Sequence, residues 1–220
     1  MRINQFIAKS TTLSRRAADK AIEEGRVLFN GVHPGPGQTV TPTDTVTLDG
    51  QAITPDVNNM TIVLNKPASY VCSRQGQGSK TVYDLLPQDL HHLKSVGRLD
   101  KDSSGLLLMT TDGQLANELT HPRYQKTKVY EVRLNHLLEP IHQQMISDHG
   151  IDLFDGSSKL QLQSLDQGRT CWQVTMQEGR NRQIRRTFTA LGYAVTGLHR
   201  TGFGPYHLNM LAIGKYEKIK

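Results

Sequence analysis

The fold is decided by residues 97–113, which read GRLDKDSSGLLLMTTDG. Residues 106–109 are an uninterrupted apolar run, which predicts a buried strand. Asp112 follows this run and is interpreted as a turn or helix-cap residue. Ahead of the strand, a polar loop carries Asp100 two residues after Arg98. A carboxylate in such a loop is a candidate reactive group, although an isolated Arg-Leu-Asp is more often a structural Asp that caps a turn or pairs with its arginine.

Further strands are predicted on both sides of this stretch. Residues 61–64 predict a short apolar strand, stopped by the Asn65-Lys66-Pro67 sequence. Residues 129–134 and 172–176 alternate between apolar and other side chains, as expected of strands with one buried face. Pro140 stands where a helix should begin. Short strands separated by uneven loops predict an α+β fold with a mixed or antiparallel sheet.

A segment near the C-terminal end, residues 178–186, reads EGRNRQIRR. Its four arginines are too dense to pair locally, since only one acidic residue is nearby. On a helix predicted over residues 181–191, Arg182 and Arg186 lie together, whereas Arg185 points about 100° away. This pattern predicts one inward arginine and others that face a phosphate backbone. The alternative is a basic helix face in solvent.

Residues 1–58 are interpreted as a separate module, and residues 59–220 as the larger domain. The module is predicted to contain a short helix over residues 2–9 and a second helix that Ser14 caps and Gly25 ends. Turn pairs such as Asn30-Gly31 then indicate a hairpin. The basic residues of this module are candidates for contact with an anionic partner: Arg15, Arg16, Lys20 and Arg26.

Composition narrows the class of protein. The chain has 220 residues and a formal net charge of +6, and surplus positive charge favours a polyanionic partner such as nucleic acid. No apolar run approaches the roughly 20 residues that cross a bilayer, and the N-terminus lacks the apolar core of a signal peptide. Cys72, Cys171 and the histidines show no metal-ligand spacing. A cytoplasmic protein with reduced thiols and without a metal or cofactor is therefore expected.

In combination, these segments resemble a known family. Asn65-Lys66-Pro67, residues 97–113, Lys128-Val129-Tyr130 and residues 178–186 are similar, in order, to the pseudouridine synthases of the RsuA type, which act on ribosomal RNA. The order of Ser-Arg-Arg, an Ala-rich helix, Gly-Arg-Val and Asn-Gly resembles the S4-like RNA-binding domain. Thr11-Thr12-Leu13 departs from the glycine that is usual there.

The resemblance implies roles for individual residues. Asp100 is the catalytic carboxylate, which either attacks a ribose carbon or removes the 2′ proton. Arg185 keeps Asp100 ionised and aimed, Tyr130 packs on the target base, and Arg98 fills the space that the base vacates. The residues expected to bind RNA are Arg98, Lys66, Arg182, Arg186 and Asn181 in the larger domain, and Arg15, Arg16, Lys20 and Arg26 in the module.

The resemblance also bears on the partner. Residues 192–193 and 202–205 are closer to members that modify the large ribosomal subunit, the RluB-like branch. We therefore expect a monomer that isomerises a uridine of large-subunit ribosomal RNA, away from membranes and without a small-molecule cofactor. Two alternatives stay open: a non-enzymatic S4-like RNA-binding factor of ribosome assembly, and a pseudouridine synthase that acts on transfer RNA.

Overall fold

A computed structural model describes residues 1–55 and 59–219. The chain divides into two compact units, Met1–Asn59 and Met60–Lys220. The boundary predicted after residue 58 falls on residues outside the described ranges. Each unit contains a hydrophobic cluster of its own.

The smaller unit contains two helices and a three-stranded antiparallel sheet. Its elements are α1 Ile3–Ser10, α2 Arg15–Glu23, β1 Val27–Phe29, β2 Val46–Leu48 and β3 Gln51–Ala52. Ser14 caps α2 as predicted, because its Oγ accepts a hydrogen bond from the backbone N–H of Ala17 at 3.1 Å. Gly25 follows the helix with a left-handed φ of +73°, which ends the helix where expected. Ala18 and Ala21 are buried on the face of α2 that packs in this unit's core.

The larger unit contains the remaining helices and strands. The helices are α3 Gly113–Thr120, α4 Pro140–Gln144 and α5 Gln183–Thr189. Short 3-10 helices span Val82–Leu85, Gln88–Leu90 and Pro122–Tyr124, and a π-helical turn spans Met145–His149. The strands are β4 Thr61–Lys66, β5 Lys94–Ser95, β6 Ser104–Thr110, β7 Lys128–Leu134, β8 Ile151–Leu153, β9 Gly156–Ser158, β10 Gln161–Ser164, β11 Cys171–Met176, β12 Val195–Phe203, β13 Tyr206–His207 and β14 Tyr216–Ile219.

Within the described residues, nine of these strands form one sheet. Its order is β10-β11-β7-β12-β6-β4-β14, with β5 paired to β6 and β13 paired to β12. Pairings are antiparallel except that of β6 with β12, which is parallel. The predicted mixed sheet is therefore confirmed for this unit. Apolar side chains of the sheet and of α5 form the main core, with Trp172 and Phe188 fully buried in it.

Several local predictions are confirmed, and two are corrected. Pro140 begins α4, and the Asp112 carboxylate caps α3 by accepting hydrogen bonds from two backbone N–H groups. The strand predicted to stop before Asn65 continues through Lys66, because β6 pairs with it over this length. Helix α5 is shorter than the predicted 181–191, since Arg182 has a left-handed φ of +46° and stands outside it. No helix in the described ranges is long and apolar enough to span a membrane.

Candidate active site

A cleft of about 790 Å³ opens in the larger unit. Its walls come from the loop before β6, the start of β7, the segment that leads into α5, and the middle of β12. The cleft brings together five of the residues predicted from sequence: Arg98, Asp100, Tyr130, Asn181 and Arg182. Three others lie outside its lining: Lys66, Arg185 and Arg186.

The loop that carries Asp100 is held by the buried side chain beside it. Leu99 packs in the main core, and its N–H donates a hydrogen bond to the Cys72 Sγ at 3.4 Å. The loop closes as a turn, in which the Ser103 N–H donates to the Asp100 carbonyl at 3.1 Å. The Asp100 side chain remains 35% exposed at the cleft. A rigid backbone therefore presents a solvent-accessible carboxylate.

Lys66 stabilises this loop from beneath and does not face a phosphate backbone. Its side chain is fully buried, and its Nζ donates to the carbonyls of Pro67 at 3.0 Å, Asp100 at 3.1 Å and Ser103 at 2.7 Å. Burial lowers the pKa of Lys66, opposed by the nearby acidic groups of Cys72, Asp100 and Asp102. All three ammonium donors are used, so the predicted phosphate contact is corrected.

Arg182 is the arginine nearest to the Asp100 carboxylate. Its Nη1 and Nη2 donate to the two Asp102 carboxylate oxygens at 3.0 and 2.9 Å, and its Nη1 lies 3.5 Å from Asp100 Oδ2. These hydrogen bonds lower the pKa of the Asp102 carboxyl. Because its left-handed backbone precedes α5, Arg182 turns towards the aspartates. The prediction that Arg182 and Arg186 lie together was wrong.

Arg185 points inward, as predicted, but the described residues show no ion pair between it and Asp100. Its Nη1 donates to the Val195 carbonyl at 2.8 Å and its Nη2 to the Asp102 carbonyl at 3.0 Å. Its Nε lies 3.4 Å from Asp102 Oδ2, and the side chain is 12% exposed. Arg185 therefore connects the loop that carries Asp100 and Asp102 to the start of β12. It does not contact the Asp100 carboxylate that it was expected to hold.

Arg186 is occupied outside the cleft. Its Nη1 and Nη2 donate to Asp155 Oδ1 and Oδ2 at 2.9 and 2.7 Å, and its Nε donates to the Asn181 carbonyl at 2.8 Å. Asp155, in the turn between β8 and β9, also accepts from Arg180 at 3.0 Å. A guanidinium with these partners is a structural link, so the predicted outward phosphate contact of Arg186 is corrected.

Tyr130 and Arg98 both line the cleft. Tyr130 is on β7, next to Arg200 of β12 in the sheet register, and its ring lies in the cleft wall. Arg98 is exposed in the same wall. That the Tyr130 ring packs on the target base, and that the Arg98 side chain fills the space which the base vacates, stay predictions.

Sequence reasoning missed two cations of the cleft, Lys128 and Arg200. Arg200 is 3% exposed, its Nε donates to the Leu106 carbonyl at 2.8 Å, and it approaches Gly105 closely. A Cβ on Gly105 would lie 2.2 Å from the Arg200 carbonyl oxygen, and Gly105 has a φ of +105°. Of the two, Lys128 could have been found from the sequence. It stands two residues before Tyr130 on an alternating strand and therefore lies on the same face.

The basic residues of the smaller unit differ in their partners. Arg15 and Arg16 are exposed, and Lys20 is 3.5 Å from Glu24. Arg26 donates to both Asp49 carboxylate oxygens, at 2.7 and 2.6 Å. Asp49 and Glu24 therefore raise the pKa of the Arg26 guanidinium. Three of the four predicted RNA contacts stand in solvent, and the fourth is bound to carboxylates.

The described ranges contain no cluster of three or more His, Cys, Asp or Glu side chains arranged to hold a metal ion. Cys72 and Cys171 are both free thiols, and burial raises the pKa of Cys72. The expectation that no metal or cofactor takes part stays a prediction.

Comparison with known proteins identifies the class of this cleft. The profile of the RNA pseudouridylate synthase family matches residues 60–190. Ribosomal large subunit pseudouridine synthase B of Bacillus subtilis (strain 168) is 35% identical over 225 residues, which cover 99% of this chain and 91% of that protein. Ribosomal small subunit pseudouridine synthase A of Pasteurella multocida (strain Pm70) is 34% identical over 225 residues, which cover 100% of this chain and 96% of that protein.

A solved structure agrees with these sequence matches. A crystal structure of a pseudouridylate synthase superposes with a TM-score of 0.72 at 32% identity, covering 100% of this chain and 96% of that one. The resemblance of the larger domain's segments to the pseudouridine synthases is therefore confirmed, and the chain belongs to the RNA pseudouridylate synthase family.

Proposed function

We propose that this protein isomerises a uridine of ribosomal RNA to pseudouridine, with Asp100 as the catalytic carboxylate. The observation that carries the assignment of Asp100 is the state of the cleft's two lining carboxylates. Glu178 Oε2 accepts hydrogen bonds from Arg180 at 3.1 Å and Gln183 at 3.0 Å. Within residues 1–55 and 59–219, the Asp100 carboxylate makes one side-chain contact, the longer 3.5 Å contact with Arg182. Of the two carboxylates, that of Asp100 is therefore the one with the weaker contacts to the protein.

The reaction breaks the N1–C1′ bond of the uridine, turns the uracil and forms a C5–C1′ bond. C5 then loses its proton and N1 gains one, so that the product is an isomer of the substrate. In one route the Asp100 carboxylate attacks C1′ as the N1–C1′ bond breaks, and this ester bond breaks again when C5 bonds to C1′. In the other route it takes the C2′ proton, so that a glycal forms, and it returns the proton to C2′ when C5 bonds to C1′. The loop bonds from Lys66 and Arg185 fix the backbone on which this carboxylate stands. Fixed geometry of this kind avoids reorganisation during the reaction. Tyr130 lies against the uracil and permits its rotation, because an aromatic face holds a base without directional bonds.

The target uridine must leave its stack before it reaches Asp100, which costs a few kcal/mol. Arg98 is proposed to occupy the vacated space, since it is exposed at the cleft two residues from Asp100. Asn181 lines the same cleft and is proposed to contact the RNA there.

The proposed substrate is large-subunit ribosomal RNA in the cytoplasm, and the protein is proposed to act as a monomer. Relatives of similar identity are named for the large and for the small subunit. The proposal of the large subunit rests on the resemblance of residues 192–193 and 202–205 to the large-subunit branch of the family.

The smaller unit is proposed to be an S4-like module that binds the same RNA. Its two helices, the three-stranded sheet and the exposed side chains of Arg15, Arg16 and Lys20 support this assignment. Such contacts with phosphates position an RNA without reading its sequence.

The function is tested by mapping pseudouridines in ribosomal RNA from cells with and without the gene. We expect one or a few large-subunit positions to lose pseudouridine, and the purified protein to restore them in extracted RNA. Transfer RNA from the same cells serves as the control and is expected to stay unchanged. An unchanged ribosomal map, or a loss confined to transfer RNA, would contradict the proposal.

A further inference from the structure

A β-bulge brings two otherwise unused cations into the cleft. Arg200 of β12 pairs with Tyr130 of β7, but Phe203 pairs with Lys128, so four residues on β12 lie opposite three on β7. Residues three apart on a regular strand face opposite sides of a sheet. The extra residue in the bulge places Arg200 and Phe203 on the same face, where both line the cleft with Lys128.

Both cations lie close to one aromatic ring. The Arg200 guanidinium carbon is 4.7 Å, and the Lys128 Nζ 5.5 Å, from the centroid of Phe203. Lys128 Nζ also donates to the carbonyls of Lys126 at 3.1 Å and Gln177 at 2.9 Å. Arg200 is 3% exposed, and its buried Nη2 has no hydrogen-bond partner. An unpaired donor in a buried guanidinium is costly unless a ligand satisfies it.

The charges of these two cations are also uncompensated. Across residues 1–55 and 59–219, no ion pair involves Lys128 or Arg200. The lining carboxylates of Asp100 and Glu178 contact other arginines. Burial, and after it the positive charge of Arg200, lower the pKa of Lys128. Adjacent, partly desolvated positive charges favour an anionic ligand.

We propose that Arg200 and Lys128 bind the phosphodiester of the target nucleotide inside the cleft. This inference rests on the proposed function, in which the ligand is RNA. The phosphodiester is the anionic group of RNA, whereas a uracil carbonyl would accept a hydrogen bond and leave both charges uncompensated. Arg200 is the cross-strand neighbour of Tyr130, so a phosphate at this site lies beside the base of the same nucleotide.

The test compares the binding of uridine 5′-monophosphate and uridine by titration calorimetry at constant ionic strength. The wild-type protein is expected to bind the monophosphate about tenfold more tightly, which corresponds to about 1.4 kcal/mol. Lys128→Gln is expected to remove most of this preference. Lys159→Gln is the matched control, because its Nζ also contacts a carbonyl, that of Asp148, and it lies outside the cleft.

Thermal melting establishes that each variant is folded. If Lys128→Gln does not fold, Arg200→Lys serves in its place, since lysine keeps the charge but not the planar two-point geometry. Equal binding of the two ligands by the wild type, or an undiminished preference in the folded variant, overturns the proposal. Turnover is not measured in this test. A protein that prefers the monophosphate but leaves ribosomal uridines unchanged would keep this site and lose the proposed function.

Discussion

The two basic regions of the molecule use their positive charges differently. In residues 180–186, every arginine has protein acceptors: Arg180 with Asp155, Arg182 with Asp102, Arg185 with the Val195 and Asp102 carbonyls, and Arg186 with Asp155. On α2, Arg15 and Arg16 are exposed and have no ion pair within the described residues. Lys20 of that helix does approach a carboxylate, that of Glu24, at 3.5 Å.

A dense run of arginines is therefore not necessarily a polycationic surface. Arginines that are bound to carboxylates and carbonyls fix a backbone, and their loss should alter stability or turnover. Exposed cations interact with a partner through screened, long-range forces, and their loss should alter salt-dependent affinity. Four single substitutions and one triple change separate these effects from the loss of the catalytic carboxylate.

The largest expected effect is that of Asp100→Asn on turnover. The amide keeps the shape of the side chain and loses the charge, so pseudouridine formation should fall about a thousandfold or more, whereas RNA affinity should change little. Asp102→Asn is the matched control, because Asp102 lies in the same loop as Asp100 but pairs with Arg182. Single-turnover rates and filter binding measure both quantities. Residual Asp100→Asn activity within tenfold of the wild type would remove the assignment.

Lys66→Met should act mainly on stability. Methionine fills the volume but leaves the Pro67, Asp100 and Ser103 carbonyls without their donor, so the free energy of unfolding should fall by about 3 kcal/mol. Urea denaturation measures this change. The salt dependence of RNA binding should stay as in the wild type. A slope reduced by about 0.7, as for one lost phosphate contact, would restore the role that the sequence predicted.

Arg185→Lys and Arg182→Lys should differ in their effect on stability. Arg185 is 12% exposed and its lysine variant cannot reach both the Val195 and Asp102 carbonyls, so we expect a loss of about 2 kcal/mol. Arg182 is 43% exposed, and its variant should lose less than about 1 kcal/mol. Urea denaturation of the two variants checks the order, and the reverse order would mean that Arg182 is the main support of the loop.

The smallest effect on turnover is expected for the triple change of Arg15, Arg16 and Lys20 to alanine. Each lost phosphate contact should flatten the dependence of log affinity on log salt by about 0.7. Turnover at saturating RNA should change little. Arg26→Ala is the control, and should flatten the slope less because Asp49 already engages that guanidinium. Binding of a ribosomal RNA fragment at several salt concentrations measures the slopes, and a wild-type slope in the triple variant would make this helix face ordinary surface.

Much of the fold could be predicted from local patterns. The apolar run of β6 and the alternation of β7 and β11 have the periods of buried and half-buried strands. Strand β12 was not predicted, because two glycines and two register shifts interrupt its alternation. Its placement depends on pairing with β6 and β7, which are distant in sequence.

The residues of the candidate site could be predicted only in part, because some of them depend on tertiary contacts. Asp100 and Tyr130 were assigned from the resemblance of their segments to the family, which requires no knowledge of tertiary contacts. The roles of the arginines did not, because the projection from 182 to 186 assumes a regular helix, whereas the left-handed backbone of Arg182 lies ahead of α5. The burial of Lys66 and the Lys128–Arg200 pair depend on tertiary contacts that no local pattern contains.

The close approach at Gly105 has a consequence for anyone who re-engineers the specificity of this enzyme. The Cβ of a side chain at this position would lie 2.2 to 2.9 Å from backbone atoms of Arg200. Relieving this collision would require β6 and β12 to move apart. Random libraries should therefore keep glycine at 105 and diversify the exposed rim at Arg98 and Asn181. Natural variation at position 105 meets the same collision, because every residue other than glycine carries a Cβ.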